Sequence, residues 1–116
     1  RREQIGKADT WFYPPAMIDQ ELQKICGLIR KGAYWTNVQE PIFLDRLAFV
    51  MAELNIIHPF REGNGRAIRE FIRELALHNG YLLNWGRADR EAILQTAASS
   101  VDDYTALIPL LAQCLE

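Results

Sequence analysis

Cysteine and histidine are scarce in this chain, with two of each among its 116 residues. Cys26 and Cys114 each lie in an apolar helical pattern without a CxxC partner, so we interpret both as buried free thiols rather than as a disulfide. His58 and His78 lie far apart, and no cysteine is near either of them at the spacing of metal ligands. This scarcity argues against a disulfide scaffold and against a zinc site.

Excess positive charge and long apolar runs are also missing. The chain has 13 Lys and Arg against 15 Asp and Glu, for a formal charge of -2, whereas non-specific nucleic-acid binders carry clustered basic residues. No apolar run approaches the roughly 20 residues of a membrane helix, and no apolar stretch follows the first four residues as in a signal peptide. We therefore expect a cytoplasmic protein, with neither a membrane nor nucleic acid as a direct partner.

What the chain does contain is enough apolar sequence for one core, because 49% of its residues are hydrophobic. Apolar residues recur with a period of 3.6 between Pro, Gly and Asn, which predicts an all-α domain. The predicted helices span approximately residues 15–31, 41–57, 64–79, 87–99 and 102–115. Pro109 is expected to kink or divide the last helix, and Asp102 is expected to cap it.

A short extended hairpin is predicted ahead of the first helix, at residues 4–13. A turn signal at Gly6 to Asp9 precedes β-branched and aromatic residues at Thr10 to Tyr13. Trp11 is the aromatic side chain that we do not assign to the core, because a hairpin beside a reactive loop can offer its edge to a second chain. The alternative is that the hairpin tip only covers the core.

One nonapeptide, HPFREGNGR at residues 58–66, joins the second and third predicted helices. Pro59 disfavours helical geometry at His58 and so ends the second helix. The segment Gly63-Asn64-Gly65 can expose backbone N–H groups to an anion, and Asn64 tolerates a left-handed backbone. Arg66 and Arg69 project from the first turn of the next helix, whose positive end suits phosphate. The arrangement predicts a site for an ATP-like triphosphate.

His58 and Glu62 add chemistry to this predicted phosphate site. Histidine has an ordinary pKa near 6.5, so His58 can accept a proton from an attacking hydroxyl group near neutral pH. Glu62 is the nearest carboxylate for Mg²⁺, which commonly takes one or two carboxylates together with phosphates and waters. These residues predict nucleotidyl or phosphoryl transfer.

A tight connector between two helices is the alternative interpretation of the nonapeptide. In that case Arg66 pairs with Glu70, and Arg69 pairs with Glu70 or Glu74, on a solvated helix face. Each residue taken singly fits this account. A connector needs only one left-handed glycine, however, so the ordered set of residues favours the phosphate site.

The stretch HPFREGNGRAIR at residues 58–69 matches HxFx(D/E)GNGRxxR at every specified position, and the chain resembles the Fic domain family. The similarity extends to the apolar helix ahead of this motif, to residues 80–85 and to the Phe12-Tyr13-Pro14-Pro15 step. It implies a compact helical Fic core over residues 1–116, with a flap hairpin at 4–13 and the catalytic motif at 58–69. Family members usually have a helix or more ahead of the flap, so we expect a trimmed core or a fragment.

The resemblance implies a Fic-type protein adenylyltransferase that moves AMP from ATP to a Ser, Thr or Tyr hydroxyl group of a target protein and releases pyrophosphate. It implies that His58 is the general base and that Glu62 is the Mg²⁺ ligand. The phosphate-binding residues that it implies are Gly63, Asn64, Gly65, Arg66 and Arg69, of which Asn64 and the amides around the two glycines hold the α-phosphate. The residues of the flap that would position the target segment are Ile5, Gly6, Lys7, Thr10, Trp11 and Phe12.

Many Fic proteins are restrained by a helix carrying (S/T)xxxE(G/N), whose glutamate pairs with the second motif arginine. The nearest match, Thr36 to Glu40, is followed by Pro41, and we interpret it as chance. We therefore expect an inhibitory helix in an N-terminal segment or a separate antitoxin chain. The alternatives are a silent or inhibited module that binds nucleotide or antitoxin, a de-AMPylase and a phosphotransferase. The family also implies a bacterial-type cytoplasmic protein, with secretion into a host cell as the alternative.

Overall fold

A computed structural model describes residues 6–7, 10–11, 15–30, 35, 38–58 and 63–116. Two short strands, β1 at Gly6–Lys7 and β2 at Thr10–Trp11, pair antiparallel within the segment where the hairpin is predicted. Gly6 lies opposite Trp11, and Lys7 lies opposite Thr10. Ile5, Phe12 and the turn between the strands lie outside the described residues.

Five α-helices make up most of the described chain, so the predicted all-α fold is confirmed. They are α1 at Pro15–Arg30, α2 at Glu40–Ile57, α3 at Asn64–His78, α4 at Arg90–Ser99 and α5 at Leu107–Cys114. Two 3₁₀ turns, at Trp85–Arg87 and Tyr104–Ala106, precede α4 and α5. None of the helices in the described part of the chain is both long and apolar enough to span a membrane.

Helix α2 is the centre of the fold, because α1, α3 and α5 all pack against it. Its fully buried side chains include Phe43, Leu47, Met51 and Ile57, and each contributes about 1.5–3 kcal/mol relative to full exposure. The ring of Phe43 also stacks on Tyr81, with 4.2 Å between the ring centroids. The core therefore fixes both ends of α2, including the end that carries the predicted catalytic motif.

Several local predictions are wrong in detail. Cys26 is exposed, whereas Cys114 is buried, and both are free thiols. The cap of the last segment is Asp103 rather than Asp102, because its Oδ1 atom accepts hydrogen bonds from the backbone N–H and the hydroxyl group of Thr105. Pro109 lies in the first turn of α5 and does not divide it. The backbone N–H groups of a first turn have no acceptor within the helix, so a proline there removes no helical hydrogen bond.

Helix α3 buries one apolar face, as its period of 3.6 predicts, but one of its large apolar residues lies outside that face. Ile68, Ile72, Leu75 and Ala76 are buried as expected. Phe71, however, is 41% exposed, and it lines a surface cleft together with Ile29 and His78. The helix is followed by Gly80, whose φ of 86° is the left-handed conformation that a glycine readily adopts after the end of a helix.

Candidate functional site

His58 lies at the C-terminal end of α2, at the entry to the loop that precedes α3. Its backbone is left-handed, with φ 48° and ψ 62°, and its N–H group donates to the carbonyl of Leu54 at 2.9 Å. A left-handed conformation costs an L-residue about 1–2 kcal/mol, and such conformations concentrate at functional sites. Pro59 explains why the helix ends here, since it disfavours helical geometry at the preceding residue. The imidazole is half-buried at this junction.

Gly63 and Asn64 begin the motif helix α3. Gly63 is the N-cap residue and has φ 74°, so the left-handed backbone falls on the glycine and not on Asn64. Asn64 is the first helical residue and is 4% exposed, while Gly65 and Arg66 follow it on the surface. No side chain caps the helix, so its first turn presents N–H donors and the positive end of the helix dipole.

The two motif arginines fold back over the two motif glycines. A Cβ atom at residue 65 would lie 2.9 Å from Nη1 of Arg69, and one at residue 63 would lie 3.6 Å from Nη2 of Arg66. A separation of 2.9 Å is shorter than ordinary van der Waals contact, so the Arg69 guanidinium occupies space that only a glycine leaves open. Both guanidinium groups therefore lie beside the N-terminus of α3.

The carboxylates of α3 pair with a third arginine, which lies outside the motif. Arg73 donates through Nε to Oε2 of Glu70 at 3.0 Å and also reaches the other Glu70 oxygen. Its Nη2 atom lies 3.8 Å from Oε1 of Glu74. Within the described residues, neither Arg66 nor Arg69 forms an ion pair with these carboxylates. The connector alternative, which requires those pairs, is therefore not supported on this helix.

Two residues that follow the motif in the chain interact with Arg69. Trp85 is half-buried and donates from Nε1 to the carbonyl of Arg69 at 3.0 Å. Burial lowers the pKa of the Arg69 guanidinium, and the positive charges of Arg90 and then Arg66 act in the same direction. Trp85 falls within residues 80–85, to which the family resemblance extends, but no sequence signal assigns it or Arg90 to the site, because both follow the motif at a distance in the chain.

The structure describes six of the predicted motif residues and leaves others undescribed. His58 lies at the end of α2, and the start of α3 carries Gly63, Asn64, Gly65, Arg66 and Arg69. Glu62, the predicted Mg²⁺ ligand, lies outside the described residues, as does Phe60. Of the predicted flap, the backbones of Gly6, Lys7, Thr10 and Trp11 are placed in the paired strands. In the ranges that are described, no three His, Cys, Asp or Glu side chains cluster as a metal site.

Comparison with known proteins identifies relatives over most of the chain. The model of the family described as "Fic/DOC family" matches residues 1–76. "Protein adenylyltransferase VbhT" of Bartonella schoenbuchensis is 47% identical over 83% of this chain and 20% of its own length. "Probable protein adenylyltransferase Fic" of Escherichia coli is 36% identical over 92% of this chain and 54% of its own. The chain thus spans about half, or less, of the length of these curated relatives.

Solved structures share the fold at lower sequence identity. The N-terminal Fic domain of a VirB-translocated Bep effector protein from Bartonella quintana, with bound ADP, superposes with a TM-score of 0.91 at 20% identity, over 98% of this chain and 55% of that one. BepC from Bartonella tribocorum, with bound AMPPNP, gives a TM-score of 0.87 at 20% identity, over 100% of this chain and 57% of that one. At this identity the likeness establishes the fold alone.

Proposed function

This chain belongs to the Fic/DOC family, and we propose that it transfers AMP from ATP to a hydroxyl side chain of a target protein and releases pyrophosphate. The observation that carries the proposal is the placement of His58 at the end of α2 beside a helix N-terminus over which Arg66 and Arg69 fold. The curated relatives named as protein adenylyltransferases support it.

The proposed reaction is an in-line displacement at the α-phosphorus. The target oxygen forms a bond to that phosphorus while the bond to the α,β-bridging oxygen breaks, and pyrophosphate leaves with the bond's electron pair. The imidazole of His58 takes the proton of the hydroxyl group as general base. The fixed end of α2 holds this base in place, which supplies the positioning on which such catalysis depends.

The start of α3 provides the proposed phosphate site. Backbone N–H groups around Gly63 and Gly65, together with Asn64, hold the α-phosphate, and the helix dipole favours its negative charge. Arg66 and Arg69 bind the outer phosphates, as their positions over the glycines suggest. Guanidinium groups form charge-assisted, bidentate contacts with phosphate oxygens, which fix orientation as well as affinity.

Glu62 and a magnesium ion complete the proposed nucleotide site. A carboxylate next to a triphosphate matches the ligand preference of Mg²⁺ for one or two carboxylates, phosphate oxygens and water. When bound, the ion neutralises charge on the phosphates. Arg66 and Arg69 then orient the outer phosphates so that the α-phosphate faces His58.

The paired strands at the N-terminus are the proposed docking site for the target segment. Backbone pairing of β1 and β2 leaves a strand edge to which an extended peptide can add. We assign this positioning role to the flap residues Ile5, Gly6, Lys7, Thr10, Trp11 and Phe12. Such main-chain pairing would position the target hydroxyl group next to His58 with little dependence on the amino-acid sequence of the target.

We also propose that a regulator inhibits this activity. An acidic side chain on an inhibitory helix, either N-terminal to this chain or on an antitoxin partner, would pair with Arg69 and displace the outer phosphates. We propose a bacterial cytoplasmic location; the alternative, delivery to a host cell, matches the description of BepC as a VirB-translocated Bartonella effector protein.

Labelled ATP tests the proposed activity. The purified protein is incubated with lysate, Mg²⁺ and ATP labelled at either the α- or the γ-phosphate, and labelled proteins are identified by mass spectrometry. Label from the α-position alone is the expected result. Label from the γ-position would instead identify a phosphotransferase, and no label from either position, with nucleotide still bound, would identify a binding module.

A further inference from the structure

Two segments that follow the motif helix are paired with each other, and we call the pairing of residues 82–87 with residues 113–116 the clasp. The segments form an antiparallel backbone bridge at Leu83 and Leu115. Two hydrogen bonds from backbone N–H groups to carbonyls, each of 2.8 Å, flank this bridge. The side chain of Leu83 is buried in the core. The clasp therefore attaches the segment after α3 firmly to the end of α5.

Side chains reinforce the clasp around the 3₁₀ turn that precedes α4. Arg87 donates from Nη1 to the carbonyl of Leu115 at 3.0 Å, and Gln113 donates from Nε2 to the carbonyl of Arg87 at 2.9 Å. Asn84 donates from Nδ2 to Oε1 of Glu116 at 3.0 Å, and its Oδ1 atom caps the turn. Each of these exposed hydrogen bonds is weak on its own. Because they all act on one short turn, together they hold it in a single conformation.

Trp85 is the residue of the clasp that reaches the motif helix. Its Nε1 atom donates to the carbonyl of Arg69 at 3.0 Å. A carbonyl inside an α-helix already accepts the N–H group four residues on, so the indole is an extra donor that α3 does not need for its own hydrogen bonding. The contact also satisfies a half-buried indole N–H group. Beyond that, the bond fixes the turn of α3 that carries Arg69 relative to the clasp.

Contacts on two sides specify where Arg69 lies. Its guanidinium group occupies the space that the missing side chain of Gly65 leaves, with Nη1 2.9 Å from where a Cβ atom would be. Its backbone carbonyl accepts the indole N–H group of Trp85. A bidentate contact between a guanidinium group and a phosphate depends on geometry as well as on charge. A shift of the backbone at residue 69 therefore weakens that contact.

We propose that Trp85 is a positioning residue of the phosphate site, which holds the turn of α3 that carries Arg69 and is itself held by the clasp. Trp85 and the clasp lie outside residues 1–76, the range that the family model matches. The assignment of the outer phosphates of ATP to Arg69 rests on the proposed function. Trp85 acts through Arg69 and does not itself bind the nucleotide. It therefore affects ligands that carry outer phosphates and spares AMP, whose single phosphate binds at the N-terminus of α3.

Calorimetric titration with ATP in the presence of Mg²⁺, and with AMP, tests the positioning role. Trp85→Phe removes the indole N–H group but keeps an aromatic ring. It is expected to weaken ATP affinity about fivefold, which is part of the value of one charge-assisted contact, and to change AMP affinity less than about twofold. Tyr104→Phe, which loses a hydrogen bond of similar length to Asp45, should leave both affinities unchanged.

A double-mutant cycle tests whether Trp85 acts through Arg69. Arg69→Ala should weaken ATP affinity about tenfold or more, because it removes the whole charge-assisted contact. Adding Trp85→Phe to Arg69→Ala should then cause no further loss, since the group that Trp85 positions is already absent. A purely structural role of Trp85 would instead lower ATP affinity by the same factor in both backgrounds.

The double variant Asn84→Ala, Gln113→Ala tests the clasp without changing Trp85 or the motif. It removes three hydrogen bonds of the clasp. We expect ATP affinity to fall about threefold, again with less than about a twofold change for AMP. Unchanged ATP affinity in this folded double variant would show that the clasp does not hold Trp85 in place.

Four results would overturn the positioning role: unchanged ATP affinity in Trp85→Phe, equal losses for ATP and AMP, a full further loss in the Arg69→Ala background, or a wild-type protein that binds ATP no more tightly than AMP. Circular dichroism melts check that each variant is folded. Site-specific replacement of Trp85 by benzothienylalanine, which keeps the shape of the indole but lacks its N–H donor, gives the same test if Trp85→Phe is not folded.

The binding measurement does not require transfer, so it separates the positioning role from the proposed activity. If Trp85→Phe loses ATP affinity selectively while the wild type labels no protein, the proposed activity fails and the positioning role stands. If the wild type labels proteins while Trp85→Phe binds ATP as the wild type does, the activity stands and the positioning role fails.

Discussion

Arg69 and Gly65 are in contact across one turn of α3: a Cβ atom at residue 65 would lie 2.9 Å from Nη1 of Arg69. Gly65 is helical and has no positive φ among the backbone angles of this structure, so the contact and not the backbone angle explains why a glycine suits this position. The glycine and the arginine are therefore one functional unit. The absence of a side chain at Gly65 leaves the space that the guanidinium group of Arg69 occupies.

Gly65→Ala should disable the site without unfolding the protein. The added methyl group must displace the Arg69 guanidinium, and losing one charged contact costs about 1.5–3 kcal/mol, so kcat/KM for AMP transfer should fall by about tenfold or more. Gly27→Ala is the matched control, because Gly27 is also helical and a Cβ there meets nothing within 4 Å. Equal activity of the two variants in the labelling assay would contradict the inference that the contact between Gly65 and Arg69 matters for AMP transfer.

Gly63→Ala should lose both stability and nucleotide affinity. Its φ of 74° costs an alanine about 1–2 kcal/mol, which urea denaturation measures. Gly80→Ala has a similar cost, since Gly80 has φ 86° and open space around it, but Gly80 lies at the far end of α3. We expect ATP affinity to fall only in Gly63→Ala. Equal affinities in two equally destabilised variants would show that the loop conformation does not matter for binding.

Trp85→Phe should loosen the junction between α3 and α4. The substitution removes the hydrogen bond to the Arg69 carbonyl, worth about 1 kcal/mol, and so loosens the turn of α3 that carries Arg69. Tyr104→Phe is the control, because it removes a partly buried hydrogen bond, from the Tyr104 hydroxyl group to Asp45 at 2.8 Å, away from the site. Both variants should melt at a lower temperature, and only Trp85→Phe should bind ATP more weakly. The same ATP affinity in both would rule out a positioning role for Trp85.

Glu53 on α2 gives a prediction about pH. Burial raises the pKa of this half-buried carboxyl group, the negative charge of Glu21 adds to the shift, and Lys24 opposes it. A raised pKa means that the folded protein holds the proton more tightly than the unfolded chain. This contribution to stability is present below the unfolded pKa and is lost as the pH rises through the folded one.

The substitution Glu53→Gln should therefore raise the melting temperature at pH 7, and the gain should shrink as the pH falls toward 4. The gain is small, because solvent reaches the carboxylate and screens its charge. Glu91→Gln, which changes an exposed carboxylate on α4, serves as the control in the same thermal melts. A gain from Glu53→Gln that persists unchanged at low pH would be inconsistent with this electrostatic origin.

The helices and the end of α2 at His58 could be predicted from the sequence because their signals are local. A period of 3.6, a proline after His58 and a glycine at residue 80 each act within one or two turns. The choice of ion pairs on α3 could not be predicted, since Glu70 has Arg66 and Arg73 at equivalent helical spacings. Packing decides between them: Arg66 folds over Gly63, which leaves Glu70 to Arg73.

The contribution of the segment after the motif was missed for a different reason. From its residue type alone, Trp85 is expected in the core, and Arg90 is expected on the solvent-exposed face of a helix. Only the folded chain brings the indole N–H group of Trp85 to the carbonyl of Arg69 and lets the positive charge of Arg90 lower the pKa of Arg69. Phe71 shows the same limit, because its helical position is apolar in pattern but borders an exposed cleft.

The most direct test of the account compares the two histidines of the chain in AMP transfer. His58→Ala removes the proposed general base, and His78→Ala removes an exposed imidazole at the far end of α3. Both variants are assayed with ATP labelled at the α-phosphate, and their ATP affinities are measured by calorimetry. We predict that His58→Ala binds ATP within about threefold of wild type but loses at least about 100-fold in labelling rate, while His78→Ala matches wild type in both. Undiminished labelling by His58→Ala would contradict the central claim.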